Sequence, residues 1–578
     1  MDIVKFLSSI ELFESLPSQI IKELADTLES IYIPGGSTFI RQGDEADCLY
    51  ILLHGRLSAY QTINSKTIFL GEIGIGEVVG EVAILTKEKR MATVQTIRDS
   101  TLLKFTQEHF RAITLKHPDM LLEFTKKSMA RLLQKKPEGG HSSLKTLVLV
   151  PSGSSPIPQN FIVQFIEALA LRGKVLHLTS TSSNSLPSSE WLTEQESQYR
   201  YVVYEVDQSL TPWTLLSLRQ ADRILFIGVD HRVSSLNEVE AFIFKEKKTR
   251  ASEFILLHEQ SSSLLSHTQS WLNLRPCTRH HHVNISCNND FSRLIRFICG
   301  ESIGLVLSGG GARALAHLGL IRALEELKIP IDYIGGSSMG GTIAGAIALG
   351  MDYKTMVKQV KEYVVPAVTA WDYTLPLLSL KSCKRLTAAC KQVLGREVFI
   401  EDCPISFFCV STNLSLRRME IHQKGLLWKA VRASFSIPAI LPPVTDEEGN
   451  LYVDGGIVNN LPVDVMRSVI NGGRIIASSI TPTPKVHYLS LPSAISGWDL
   501  LKNKIKYPKN KIPHMTDVLL TSLMLGSEHH QIEMENAADF CVKFSLPDVS
   551  LMDFKHFQKI IDQGYEASLE QLKHFHFK

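Results

Sequence analysis

Apolar and polar positions alternate along this chain in three different ways. From Leu28 to Leu85 the apolar residues gather in short β-rich runs broken by turn chemistry at Pro34-Gly35-Gly36 and Gly43-Asp44, which predicts a small β-barrel or roll. Residues 106–134, "TQEHFRAITLKHPDMLLEFTKKSMARLLQ", then carry apolar side chains at three- and four-residue spacing, the mark of helices. The polar, breaker-rich "KKPEGGHSS" at 135–143 is read as a boundary. Beyond it, "LKTLVLVPSG" and "ADRILFIGVD" are continuous apolar runs of the kind that buried parallel strands show, with helical patterns such as "NFIVQFIEALALRG" between them. From residue 302 the pattern tightens into two consecutive units of β-branched run, glycine turn and apolar-periodic helix: "SIGLVLSGGGARALAHLGLIRALEEL", then "IDYIGGSSMGGTIAGAIALG". Such units imply a parallel sheet with right-handed crossovers. The expected architecture is a β-roll with helices over 1–135, an α/β middle domain over 144–299 and a second α/β domain over 300–578.

Composition changes this picture little. A chain of 578 residues is too long for one core, and 44% hydrophobic with 21% charged residues is ordinary globular usage. A net charge of +2 gives no global sign of a nucleic acid partner. The N-terminus lacks a basic start and cleavage site, no run reaches the ~18 apolar residues of a spanning helix, and nine cysteines occur without a CxxC pair. These features predict a cytoplasmic chain that meets a bilayer at most peripherally. His280-His281-His282, flanked by Cys277 and Cys287, lacks the spacing of a zinc site, so no metal is expected.

The chemistry gathers at the glycine turns. Gly336, Ser338 and Gly340 satisfy G-x-S-x-G, which places a serine on a sharp strand-to-helix turn whose neighbours must be small. There Ser338 would stand exposed at a helix N-terminus, a suitable place for a nucleophile. The earlier turn, Gly309-Gly310-Gly311-Ala312-Arg313, offers successive amides without side chains, fit to hold the oxyanion of acyl transfer, with Arg313 adding positive charge. The same turn also matches a dinucleotide fingerprint, Gly309-x-Gly311-x-x-Ala314, although a dinucleotide fold has no need of a serine at the end of its second strand. No later histidine lies in a frame that would fix it as a base, whereas Asp454 follows a short apolar strand and precedes Gly455 and Gly456. The reading is a Ser338-Asp454 dyad. Because a carboxylate of ordinary pKa, ~3.9, is a weak base, the site must partly desolvate Asp454 or couple it closely to Ser338.

Together, "GGGARALAHLG", "GGSSMGG", "RASFSIPAILPPV" and "VDGGIVNNLP" resemble the patatin-like phospholipases over about residues 300 to 578. The resemblance implies a Ser-Asp acyl hydrolase of phospholipid or lysophospholipid esters, with Ser338 as nucleophile, Asp454 as base, and Gly309 to Gly311 with Arg313 at the oxyanion. Ala314 stands where the family usually has glycine. Near the other end, "VGEVAILTKEKRMATV" resembles the phosphate cassette of cyclic nucleotide-binding domains, with Gly80, Glu81, Ala83, Arg90 and Ala92 in matching places. An arginine fork and backbone amides suit a cyclic phosphate, and a glutamate suits a ribose hydroxyl. Met91 occupies the place where readers of cyclic GMP often carry threonine, so cyclic AMP is the favoured effector. The order of parts is similar to that of the neuropathy target esterase family. Residues 502–511, within the lysine-rich "SGWDLLKNKIKYPKNKIP", are a candidate peripheral contact with lipid. The alternative is a nucleotide-responsive sensor with an inactive hydrolase domain; a transcription factor would need a helix-turn-helix where the strand "LKTLVLVPSG" stands.

Overall fold

In the computed structural model the described residues are 3–126, 144–481, 496–498 and 515–573, less 11–12, 15, 64–65, 87, 119–120, 122–123, 183–185, 188, 230–234, 246–251, 259–264 and 471. The boundary read at 135–143 and the lipid-contact candidate at 502–511 lie outside them. The chain forms two compact units that part at Gly300 and Glu301, with Leu264–Thr268 counted in the second.

The first unit opens with the roll. Two four-stranded antiparallel sheets enclose Ile40, Leu52, Leu57, Val94 and Leu102, and the helices Ser18–Thr27 and Gln107–Lys116 pack against Leu49, Ile51, Leu103 and Phe105 of one of them. Beyond it, six parallel strands form a sheet whose first strand, Thr146–Pro151, lies between Tyr201–Glu205 and Arg223–Val229. These strands are buried on both faces, as their unbroken apolar runs require. Buried charges join the two parts of this unit. Arg98 of the roll reaches Glu196 at 2.7 Å and Asp222 at 3.1 Å, and Arg56 reaches Asp222 at 3.3 Å. Asp222 also accepts the Lys145 and Thr146 amides, so its burial is compensated and its pKa is held down by Arg98 and Arg56.

The histidine run falls on the strand Arg279–Asn284, whose alternation separates its members. His281 bonds Glu253 at 2.8 Å, while His282 pairs with His258 at 2.9 Å. Among the described residues no cluster of metal-ligating side chains is found.

The second unit is built on an eight-stranded sheet. Ser406–Asn413, Tyr333–Ser337, Ile303–Leu307, Arg474–Ile480 and Phe540–Phe544 run parallel in that order, as the two strand-turn-helix units predict. The far edge departs from a purely parallel sheet: Arg418–His422 and Leu451–Asp454 each pair antiparallel with Ser406–Asn413. Loop length explains the first of these, because parallel neighbours need a crossover of roughly a dozen residues. Only residues 414–417 separate Asn413 from Arg418, and Arg417 takes a left-handed φ of 52° to close that turn. The edge positions the candidate site, since the parallel register sets Ser337 opposite Val410 and the antiparallel register sets Ser411 of the same strand opposite Asp454. An acid more than a hundred residues downstream thereby arrives beside the serine turn.

Candidate active site

The strand Tyr333–Ser337 turns abruptly into the helix Ser338–Ala348, and Ser338 itself sits at φ 52°. A left-handed serine is strained, and the surroundings must hold it there. They leave no room for side chains on either flank. A Cβ at Gly336 would lie 2.6 Å from the Leu307 carbonyl, and one at Gly340 would lie 2.4 Å from the carbonyls of both Leu307 and Ser308. The Ser338 amide donates to Ser434 Oγ at 2.9 Å, and that hydroxyl donates to the Val410 carbonyl at 2.7 Å. Ser434 therefore clamps the serine turn to the neighbouring strand.

Ser338 Oγ donates to Asp454 Oδ2 at 2.7 Å. The other carboxylate oxygen, Oδ1, accepts the Gly456 amide at 2.7 Å, and the Asp454 amide is fixed on the Ser436 carbonyl at 2.9 Å. Arg432 in turn holds Ser436 Oγ at 2.5 Å and the Pro442 carbonyl at 2.9 Å. Burial pushes the Asp454 pKa up from 3.8 to about 6, against the lowering effect of its bonds to Ser338 and Gly456.

The glycine turn after Ile303–Leu307 lies alongside. Gly310 and Gly311, at φ 159° and 56°, line the same cavity as Ser338 and Asp454. Their amides have no hydrogen-bond partner among the described residues. Gly309 and Arg313 sit differently from the sequence expectation. The Gly309 amide is taken by the Asn460 carbonyl at 3.2 Å, and Arg313 Nε donates to the Val549 carbonyl at 2.6 Å, away from the cavity lining. Ala314 is fully buried in the following turn. His317 supports the turn from beneath: Nε2 lies 2.9 Å from the Ser308 carbonyl and Nδ1 lies 2.7 Å from Ser478 Oγ. Burial holds its pKa down to about 4, so it is neutral, and it has no place in the cavity.

The rest of the cavity is hydrophobic, with Met339, Leu386, Val393, Phe435, Leu441 and Phe554 among its walls. Asp372 and Lys381, at the base of a short hairpin, also line it. The hairpin is pinned by Thr374 to Leu380 and by Lys381 to Ile440, yet its tip is bare. Trp371 is 88% exposed and Leu377 86%, with Tyr373, Leu375 and Leu378 exposed beside them.

This arrangement has relatives. A model of patatin-like phospholipases matches residues 305–467, which hold both Ser338 and Asp454. A neuropathy target esterase family P-loop-like domain matches 143–290, and a cyclic nucleotide-binding domain matches 30–117. The chain carries a patatin-like phospholipase domain behind a neuropathy target esterase family P-loop-like domain and a cyclic nucleotide-binding domain. Patatin-like phospholipase domain-containing protein 7 of Rattus norvegicus is 31% identical over 95% of this chain and 46% of its own length. Neuropathy target esterase sws of Drosophila melanogaster is 30% identical over 95% of this chain and 43% of its own, and lysophospholipase NTE1 of Mycosarcoma maydis 29% over 95% and 34%. The chain thus spans less than half the length of these curated relatives.

In the P-loop-like domain the turn after the first strand already holds an anion of its own. The Gly153 amide donates to Glu240 at 3.0 Å, and Glu240 is paired, fully buried, with Arg275 at 2.6 Å. In the cyclic nucleotide-binding domain, Gly80 and Glu81 open the short helix Glu81–Thr86, and Ala92 lies just before the strand Thr93–Thr96. Arg90 is buried and turned onto backbone carbonyls, of Cys48 at 2.5 Å and of Gly80 at 3.3 Å. Gly80, at φ 86°, admits this approach, because a Cβ there would lie 2.1 Å from Arg90 Nη1.

Several site residues have no obvious single-sequence signal. Ser434, Ser436 and Arg432 lie in "RASFSIP", which carries no known chemistry by spacing; their roles come from long-range pairing with the serine turn and the acid.

Proposed function

We propose that the protein is a serine acyl hydrolase that cleaves lysophospholipid carboxyl esters through Ser338 and Asp454. The carrying observation is the 2.7 Å bond from Ser338 Oγ to a buried carboxylate, both residues lining a hydrophobic cavity. Asp454 takes the Ser338 proton as Oγ attacks the ester carbonyl carbon, and the amides of Gly310 and Gly311 receive the oxyanion. The protonated carboxyl then returns its proton to the departing glycerol oxygen, leaving an acyl-serine. A water, deprotonated by Asp454, releases the fatty acid and restores the hydroxyl. The raised pKa brings the base closer to neutral pH, where proton transfer is more effective. A membrane-resident or micellar ester suits the apolar walls. Lysophospholipase names among the relatives support the same substrate class.

The test is fatty acid release from lysophosphatidylcholine by wild type, Ser338→Ala and Asp454→Asn. Release lost in both variants bears the dyad out; equal release by Ser338→Ala overturns it.

The bare hairpin favours lipid-surface contact as part of the same function. Five large apolar side chains within residues 371–378 stand at the edge of the cavity, with Lys384 and Arg385 exposed just beyond. Apolar tips with adjacent cations fit an anionic bilayer. Trp371→Ser with Leu377→Ser is expected to reduce co-sedimentation with phosphatidylcholine–phosphatidylserine vesicles; unchanged sedimentation argues against it.

Cyclic AMP, held by Arg90 with backbone amides from Gly80 on, is the proposed effector. Support comes from the matched domain and from the buried guanidinium at the cassette. Titration of the full chain with labelled cyclic AMP, with and without Arg90→Ala, tests it.

A further inference from the structure

Besides the Gly310 and Gly311 amides, one buried side-chain atom beside the cavity is left without a partner among the described residues. Asn460 is only 6% exposed and lines the cavity with Ser338, yet its Oδ1 makes no hydrogen bond among the described residues. Its orientation is fixed by a chain of bonds that starts at an atom able only to accept. Gln531 Nε2 donates to the Ile480 carbonyl at 3.1 Å and to Ser479 Oγ at 2.7 Å, so the Gln531 carbonyl oxygen must face the other way. Asn460 Nδ2 donates to that oxygen at 2.8 Å. Turning the Asn460 amide would set two carbonyl oxygens against each other, so its own oxygen faces the serine turn.

The oxygen is close to the reacting groups. A Cβ at Gly309 would lie 2.5 Å from Asn460 Oδ1 and 3.0 Å from Ser338 Cβ; one at Gly456 would lie 2.9 Å from Asn460 Oδ1 and 3.0 Å from Asp454 Oδ1. A buried acceptor with no donor carries an uncompensated desolvation cost, which a bound donor removes. Resting on the lysophospholipid reading above, we infer that Asn460 Oδ1 accepts the free glycerol hydroxyl of the substrate, next to the scissile ester. This makes Asn460 a specificity-determining residue. A lysophospholipid satisfies the orphan acceptor, whereas an ester without that hydroxyl leaves it unpaired, the arrangement by which polar sites discriminate most strongly.

The experiment compares kcat/KM for lysophosphatidylcholine and for the analogue in which propanediol replaces glycerol, so that only the hydroxyl is missing. The wild type is expected to prefer the hydroxyl substrate about tenfold, the worth of one buried hydrogen bond. In Asn460→Ala the ratio falls to about 1, whatever the absolute rates. Gln531→Leu, which frees the Asn460 amide to turn, lowers the ratio part-way and covers the case in which Asn460→Ala does not fold. A wild-type ratio near 1, or a ratio unchanged in Asn460→Ala, overturns the inference. Equal slowing of both substrates by Asn460→Ala belongs to the second case and would indicate placement of the hydrolytic water instead. If neither ester is cleaved above the Ser338→Ala background, it is the lysophospholipid reading that fails.

Discussion

Replacing Asp454 by asparagine should make the protein inactive and more stable. The carboxyl is buried, and its pKa rises from 3.8 to about 6, some two units. At 1.36 kcal/mol per unit, ionising it in the folded state costs about 3 kcal/mol relative to the unfolded chain. The sign follows from proton binding. Between pH 3.8 and about 6 the folded state binds the proton more tightly than the unfolded state, so stability falls as pH rises through that window. Above pH 6 the full cost is present. Asparagine avoids it without losing bonds, since its Oδ1 can accept the Gly456 amide and its Nδ2 can donate to Ser338 Oγ, the two partners Asp454 now holds. By calorimetry at pH 8, Asp454→Asn should raise the midpoint of the second unit by about 5 °C over wild type, given the usual unfolding entropy of a unit this size. Below pH 4 the difference should vanish. A variant that is less stable than wild type at pH 8, or equally shifted at both pH values, would refute the argument that desolvation sets this pKa.

The same carboxyl predicts an acidic limb in ester hydrolysis near pH 6, absent from substrate binding, measurable as kcat/KM against pH. Gly340→Ala places a methyl group 2.4 Å from two backbone carbonyls and should abolish soluble expression of the second unit, whereas Gly350→Ala, with nothing within 4 Å of its Cβ, should cost only the strain of its φ of 79°. Ser434→Ala removes the acceptor of the Ser338 amide in the interior, a loss of about 1–3 kcal/mol seen in thermal unfolding, with hydrolysis reduced at least tenfold as the serine turn loosens.

The serine turn was legible because its constraints are local. A sharp strand-to-helix joint that brings Leu307 and Ser308 carbonyls within 2.6 Å of any added Cβ admits only glycine, and glycine is visible in a sequence. Asp454 was legible for a related reason: a polar residue closing an apolar strand before two glycines. The partition of donors in the other glycine turn was not. Which amide is free depends on Asn460, whose carbonyl takes Gly309, and Arg313 is drawn off by Val549, more than two hundred residues away. The parallel strands are readable from their doubly buried apolar runs, while the antiparallel edge depends on short turns at 414–417 and 446–450 that lie within longer polar stretches. Asn460 shows the limit most clearly. Its importance lies in a bond it does not make, and only the placement of Gln531 and Ile480 reveals that.

The most direct test of the account is labelling with a fluorophosphonate, a general reagent for activated serines, followed by mapping of the adduct. The account predicts a single adduct on Ser338, formed at a rate that falls below pH 6 and is lost in Asp454→Asn. An adduct on another residue, or labelling of Ser338 at the same rate in Asp454→Asn, would contradict it.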